Sequence, residues 1–226
     1  MFRPGDKMLI LGQNGSGKSV IATRIARSWH QGTVLVFDPK GDDREAVLPN
    51  MAVARRADDA VRHLPGRIIY RPSLEEFLPV RGARMPGIWA NFEKIARKLL
   101  ELARRGLGPI LVVIHELATL TTAMGIGPAL AQLFREGRSM GISVIAITQR
   151  PQGTSLYARS EAQHVVCLTL ADQAARDVAA QLLADIERPE MAQIVRSRPL
   201  PLDHTWWYRG PDFRLKLHAP VPLGPR

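Results

Sequence analysis

Along the chain, short β-rich apolar runs alternate with longer stretches whose apolar residues recur every three or four positions. The runs fall at residues 8–11, 33–37, 67–70, 110–114, 143–148 and 165–170, and the amphipathic stretches at 19–29, 88–105, 118–135 and 172–183. Runs of the first kind predict strands and stretches of the second kind predict helices that lay one apolar face on a sheet. Their alternation predicts an α/β architecture: a mainly parallel central sheet with helices on both faces. Residues 78–87 mix Pro, Gly and Arg without periodicity and predict a loop. Near the end, His204-Thr-Trp-Trp-Tyr208 and Phe213-Arg-Leu-Lys-Leu217 flank Arg209-Gly-Pro-Asp212. That pattern predicts an antiparallel hairpin, followed by a Pro-rich tail. At 226 residues the chain is expected to form a single domain, with a core over about 5–185 and the hairpin and tail over about 186–226.

Between the first strand and the first helix stands Gly12-Gln13-Asn14-Gly15-Ser16-Gly17-Lys18-Ser19, followed by Val20. A G-x-x-x-x-G-K-S sequence placed between strand and helix is a phosphate-binding loop. Gly12, Gly15 and Gly17 let the backbone curl so that N–H groups point at a β-phosphate, Lys18 reaches the β/γ oxygens, and Ser19 offers a hydroxyl to Mg²⁺. The helix that follows adds its positive end to the same anion. A nucleoside triphosphate with Mg²⁺ is the expected ligand pair.

The run 110–114 ends in His115-Glu116, a polar pair at the carboxyl edge of a buried strand, where ligands of open α/β sheets sit. Glu116 is the candidate general base, against the plainer reading of an acidic residue starting a helix. His115 stands where a second motif usually carries Asp. Mg²⁺ prefers oxygen ligands, so an inert substitution, a weakened metal site and a pH-sensitive one all stay open. Gln149 follows the strand at 143–148 and either orients the attacking water or caps the strand end. Arg135 and Arg138 precede that strand, on the opposite edge of the sheet. Each either reaches a neighbouring subunit's nucleotide or is solvated.

Composition narrows the partners. With 31 Lys and Arg against 21 Asp and Glu the net charge is +10, which favours an acidic partner, nucleic acid first among them. No apolar run approaches the ~20 residues that span a bilayer. A single cysteine, Cys167, permits no intrachain disulfide and fits a cytoplasmic setting.

The ordered set of Gly12 to Ser19, Val36-Phe-Asp-Pro-Lys-Gly-Asp42, Val112 to Glu116, Gly137-Arg-Ser-Met-Gly-Ile142 and Ile147-Thr-Gln-Arg-Pro151 resembles the HerA/FtsK superfamily of DNA-pumping ATPases over roughly residues 5–185. The resemblance implies a RecA-like P-loop NTPase fold, a hexameric or similar homo-oligomeric ring, double-stranded DNA as partner, and ATP hydrolysis as the driving reaction. It implies Lys18 and Ser19 as phosphate and Mg²⁺ contacts, Glu116 as base, Gln149 as sensor and Arg138 as trans-acting arginine finger, with Arg135 in reserve. A bare motor of this size looks most like the genome-packaging ATPases of internal-membrane double-stranded DNA viruses. Such a motor docks on a capsid vertex or membrane protein and is virion-associated there. Conjugation or chromosome-type pumps, and a nucleotide-binding regulator with weak hydrolysis, are the alternatives. Arg81 and Arg84, in the 78–87 loop, are candidate DNA contacts or simply solvated.

Overall fold

The computed structural model describes residues 2–41, 50–79, 87–122, 125–184, 188–197, 200 and 203–221. In chain order the elements are β1 (Lys7–Leu11), α1 (Lys18–Arg27), β2 (Thr33–Phe37), β3 (Ala52–Ala54), α2 (Ala57–Arg62), β4 (Arg67–Tyr70), α3 (Gly87–Arg104) and β5 (Ile110–Ile114). There follow β6 (Thr121–Thr122), β7 (Gly125–Ile126), α4 (Pro128–Glu136), β8 (Ile142–Thr148), α5 (Leu156–Ser160), β9 (His164–Cys167), α6 (Gln173–Leu182), α7 (Glu190–Ser197), β10 (Trp206–Arg209) and β11 (Leu215–His218).

Nine strands form one sheet in the order β11-β10-β9-β1-β8-β5-β2-β4-β3. Pairing is parallel from β3 across to β9, and antiparallel where β10 joins β9 and β11 joins β10. The expected α/β fold with a C-terminal hairpin is therefore present. Because β1, β8, β5 and β2 run the same way, the segments that follow them emerge together at one edge of the sheet.

The period of two along each strand feeds two cores. Leu9, Leu11, Leu35, Phe37, Val112 and Ile114 face one side, packed with Ile95, Leu99 and Leu133 of α3 and α4. Met8, Ile10, Val34, Val36, Leu111 and Val113 face the other, with Ile21, Ala22 and Ala26 of α1. Burying one such Leu or Ile side chain contributes about 1.5–3 kcal/mol, so a strand loaded on both faces is held firmly in register. Cys167 is a buried member of this core, and burial pushes its thiol up to about 12.

One predicted helix is corrected. Residues 118–135 do not form a continuous helix: a 3-10 turn at Leu117–Leu120 leads into the small β6–β7 hairpin, and only α4 is helical. The apolar spacing continues through this stretch, but Pro128 fixes a helix start rather than an interior. Gly127, just before it, lies so close to Glu93 that an added Cβ would come within 2.1 Å of the carboxylate. Buried Glu93, reaching over from α3, accepts the N–H groups of Ala129 at 2.8 Å and Leu130 at 2.9 Å. A carboxylate from another helix thus does the work of the missing side-chain cap and sets where α4 begins.

The hairpin is anchored to the parallel sheet by a buried polar group. His164 Nδ1 lies 2.7 Å from the Tyr208 hydroxyl and its Nε2 lies 3.1 Å from Asp6 Oδ2. Burial pulls the imidazole below its ordinary 6.5, against the opposing effect of Asp6. A histidine whose folded value is lowered is protonated more readily in the unfolded chain, so the stability it contributes is present above 6.5 and is lost as pH falls below it. We expect wild-type protein to lose more melting temperature between about pH 7 and about pH 5 than His164→Gln. Parallel pH curves for the two proteins in thermal melts would remove His164 as a titrating contributor.

Candidate nucleotide-binding site

At the carboxyl edge of the sheet, the loop after β1 closes over itself. Gly12 N–H donates to Thr148 O at 3.3 Å and Gln13 N–H to Thr169 O at 2.8 Å, tying the loop to the ends of the strands on either side. The polypeptide after β9 reciprocates, Leu168 N–H donating to Leu11 O at 2.9 Å. Gly12 packs so tightly on Ser16 that a Cβ there would lie 2.5 Å from its hydroxyl. Gly17, the residue before α1, has φ of 99°, a conformation that side chains resist. The first turn of α1 carries neither an acidic side chain nor a side-chain cap, so its backbone donors and positive dipole end are left for an anion. Lys18 is buried and donates from Nζ to Gln13 O at 2.6 Å, folded back across the loop.

Opposite the loop stand the ends of β5, β8 and β2. A cleft of about 450 Å³ is lined by the loop and by Asp38, Lys40, His115, Glu116, Gln149, Leu168, His204 and Val221 among others. Glu116 is half-buried in backbone that has left the strand, and its Oε1 is buried without a hydrogen-bond partner. Burial pushes the carboxyl above its ordinary value; the Ala118 N–H, the charges of Lys40 and Lys18 and the Gln149 N–H pull less strongly the other way. Gln149 follows the next strand over. His115 Nδ1 lies 3.5 Å from Ser19 Oγ, a marginal hydrogen bond that links the second motif to the phosphate loop.

The cleft thus brings together Lys18, Ser19, Glu116, Gln149 and His115. It leaves out Arg135 and Arg138. Both are exposed at the other edge of the sheet, where the Arg138 backbone packs on Gly5 and Arg135 lies 5.9 Å from the centre of the Tyr157 ring. Arg81 and Arg84 lie outside the described residues.

Several residues of the cleft went unassigned in the sequence, among them Asp38, Lys40, His204 and Val221. Asp38 and Lys40 belong to the Asp-Pro-Lys that follows β2, and a rule that every strand ending on this edge supplies the site would have found them. Asp38 is buried, pairs with Arg71 Nε at 2.9 Å and accepts the Gly41 N–H at 3.1 Å, which closes the turn. His204 and Val221 carry no sequence signal. They arrive because β10 pairs with β9.

ATP fits this cleft: curled loop, helix end, buried lysine and a carboxyl with one oxygen left without a hydrogen-bond partner supply what a triphosphate needs. Mg²⁺ fits a sparse protein shell, Ser19 being its natural ligand beside phosphate oxygens. Among the described residues no group of three His, Cys, Asp or Glu side chains could hold a metal by itself.

Sheet order, phosphate loop and second-motif strand together define a P-loop NTPase fold, the one implied by the resemblance. Among solved structures the chain is similar to the genome packaging NTPase B204 from Sulfolobus turreted icosahedral virus 2 in complex with sulfate: TM-score 0.70 and 18% identity, over 97% of this chain and 98% of that one. B204 has also been solved with AMPPCP and with ATP-gammaS. The chain is similar as well to the pCW3 conjugation coupling protein TcpA, with TM-score 0.52 and 18% identity over 90% of this chain and 57% of that one. A third likeness is to the cytoplasmic domain of the Thermomonospora curvata type VII secretion ATPase EccC, with TM-score 0.58 and 18% identity over 99% and 26%. No protein-family model and no curated protein matches the sequence. At these identities the likeness establishes the fold, and the chemistry has to be argued from the cleft.

Proposed function

We propose that the protein is an ATP-driven double-stranded DNA translocase, the motor that packages a viral genome into a preformed capsid. Residues 1–226 act in this reading as one ATPase domain. The observation that carries it is the extent of the likeness to B204, which reaches nearly end to end in both chains, whereas TcpA and EccC are matched over part of their length.

In the proposed cycle the 12–19 loop and the start of α1 hold the β- and γ-phosphates, and Lys18 swings from Gln13 O to follow the γ-phosphoryl group as charge builds on it. Glu116 takes the proton of the attacking water, its basicity raised by burial. Gln149 holds that water in line through its amide. Ser19 would hold Mg²⁺ beside the phosphates, and the ion would there offset the negative charge that develops. The cleft's described lining contains lysines and no arginine. Arg138, exposed at the opposite edge, is assigned to the nucleotide of the next subunit in a homo-oligomeric ring, with Arg135 as the alternative. The +10 net charge suits passage of a DNA backbone without regard to sequence.

DNA-stimulated ATPase activity together with ATP-dependent displacement of a third strand from a DNA triplex tests the reading. A motor gives both. Nucleotide binding with neither stimulation nor displacement would favour the regulator reading, for which His115 is the specific observation.

His115 also yields a prediction. Replacing it by Asp puts an anionic oxygen beside Ser19, so His115→Asp is expected to lower the Mg²⁺ concentration for half-maximal ATPase activity severalfold. Unchanged or weaker half-saturation would mean that His115 has no bearing on the metal.

A further inference from the structure

The cleft has two ends, and the strand order distinguishes them. Glu116 and Gln149 follow β5 and β8, which lie to one side of β1; Leu168 follows β9, on the other side. A nucleoside triphosphate seated on the loop with its γ-phosphate toward Glu116 therefore carries its sugar and base over the β9 side. On that side the lining turns apolar, with Ile21 of α1, Leu168 and Val221, and one imidazole, His204.

We propose that the C-terminal hairpin is a nucleoside clamp: His204 and Val221 hold the base and sugar of the bound nucleotide against Leu168 and Ile21. The proposal rests on the nucleotide reading above and assigns its second half, the part the phosphate loop cannot recognise.

Three observations support it. His204 is a non-glycine residue with φ of 65°, in the left-handed region that side chains ordinarily avoid, a strain that collects at ligand-binding positions. Its Nδ1 lies 3.1 Å from Ser16 O. A carbonyl can only accept, so Nδ1 carries the proton of that bond, and Nε2 of the neutral ring is left as an acceptor for a base or sugar donor. Finally, the clamp is fixed by contacts that do not involve His204. Trp206 Nε1 donates to Ala219 O at 3.0 Å, the Trp206 and His218 rings stack at 4.3 Å, and Tyr208 is tied to His164. Residues 218–221 are thereby folded back toward α1. Ile21 and Val221 also form part of a neighbouring apolar cavity, so the wall is continuous there.

The test compares a ligand that has a nucleoside with one that has none. Calorimetric titrations of the full chain with ATP and with inorganic tripolyphosphate are run on wild type, His204→Gly and Val221→Ser. Glycine accepts the positive φ, so the first variant removes the ring without adding strain. Expected is a loss of about tenfold in ATP affinity for His204→Gly, a smaller loss for Val221→Ser, and tripolyphosphate affinity within about twofold of wild type for both. Equal losses for the two ligands would show that His204 only shapes the phosphate loop, and unchanged ATP affinity would show that it contacts nothing; either overturns the clamp. Wild type that binds neither ligand would overturn the nucleotide reading itself, and wild type that binds both equally well would overturn the clamp alone.

Discussion

Lys18→Ala is expected to abolish ATP turnover, by at least about 10²–10³ in rate, in a protein that still folds. In the proposed site Lys18 is the cation that follows the triphosphate, and its Nζ donates to Gln13 O within the loop. That carbonyl keeps a second donor, the Ser16 N–H at 3.3 Å, when the lysine is gone. The fold therefore loses little, and the melting temperature should move by no more than a few degrees. Phosphate release and a thermal melt on the same preparation decide the matter. A folded variant that hydrolyses ATP at the wild-type rate would remove the loop from the reaction.

Glu116→Gln is expected to bind ATP as wild type does and to hydrolyse it about 10²–10⁴-fold more slowly. The amide matches the carboxylate in shape and cannot accept the proton. Stability supplies a second, independent reading. Glu116 keeps a buried oxygen without a partner, and its burial disfavours the charged form. A residue kept for packing would be replaced at a loss, whereas relieving a buried charge costs the fold nothing. The variant should melt at or above the wild-type temperature while failing in single-turnover hydrolysis. Equal single-turnover rates would show that another group takes the proton.

Both predictions concern residues readable from the sequence, and the reason is local. The glycines and lysine of residues 12–19 act through backbone that lies within the motif itself, and Glu116 and Gln149 take their places from strands whose apolar runs were plain. The parallel sheet followed because strands such as 33–37 and 110–114 are buried over their whole length. Periodicity failed at 118–135 because the helix boundary there is set by Glu93, a residue of another helix, and by a close approach at Gly127 that no spacing rule can see. Short elements such as β3 and α2 offered too few residues for a period to emerge. His204 was illegible for a further reason: its position depends on an antiparallel pairing between β10 and β9, far from the loop in sequence.

The two ends of the sheet bear on how copies of this chain can meet. Among the described residues the sheet is bordered by β3, three residues long, and by β11, where Lys216 is exposed between two leucines. A short border and a lysine-bearing one are poor templates for a further strand, because an incoming backbone finds few free ladder positions or must desolvate an ammonium group. Edge-to-edge growth into fibrils is discouraged at both ends. In the proposed ring, neighbouring copies would associate through side-chain surfaces, where they can part and rejoin without breaking a backbone ladder.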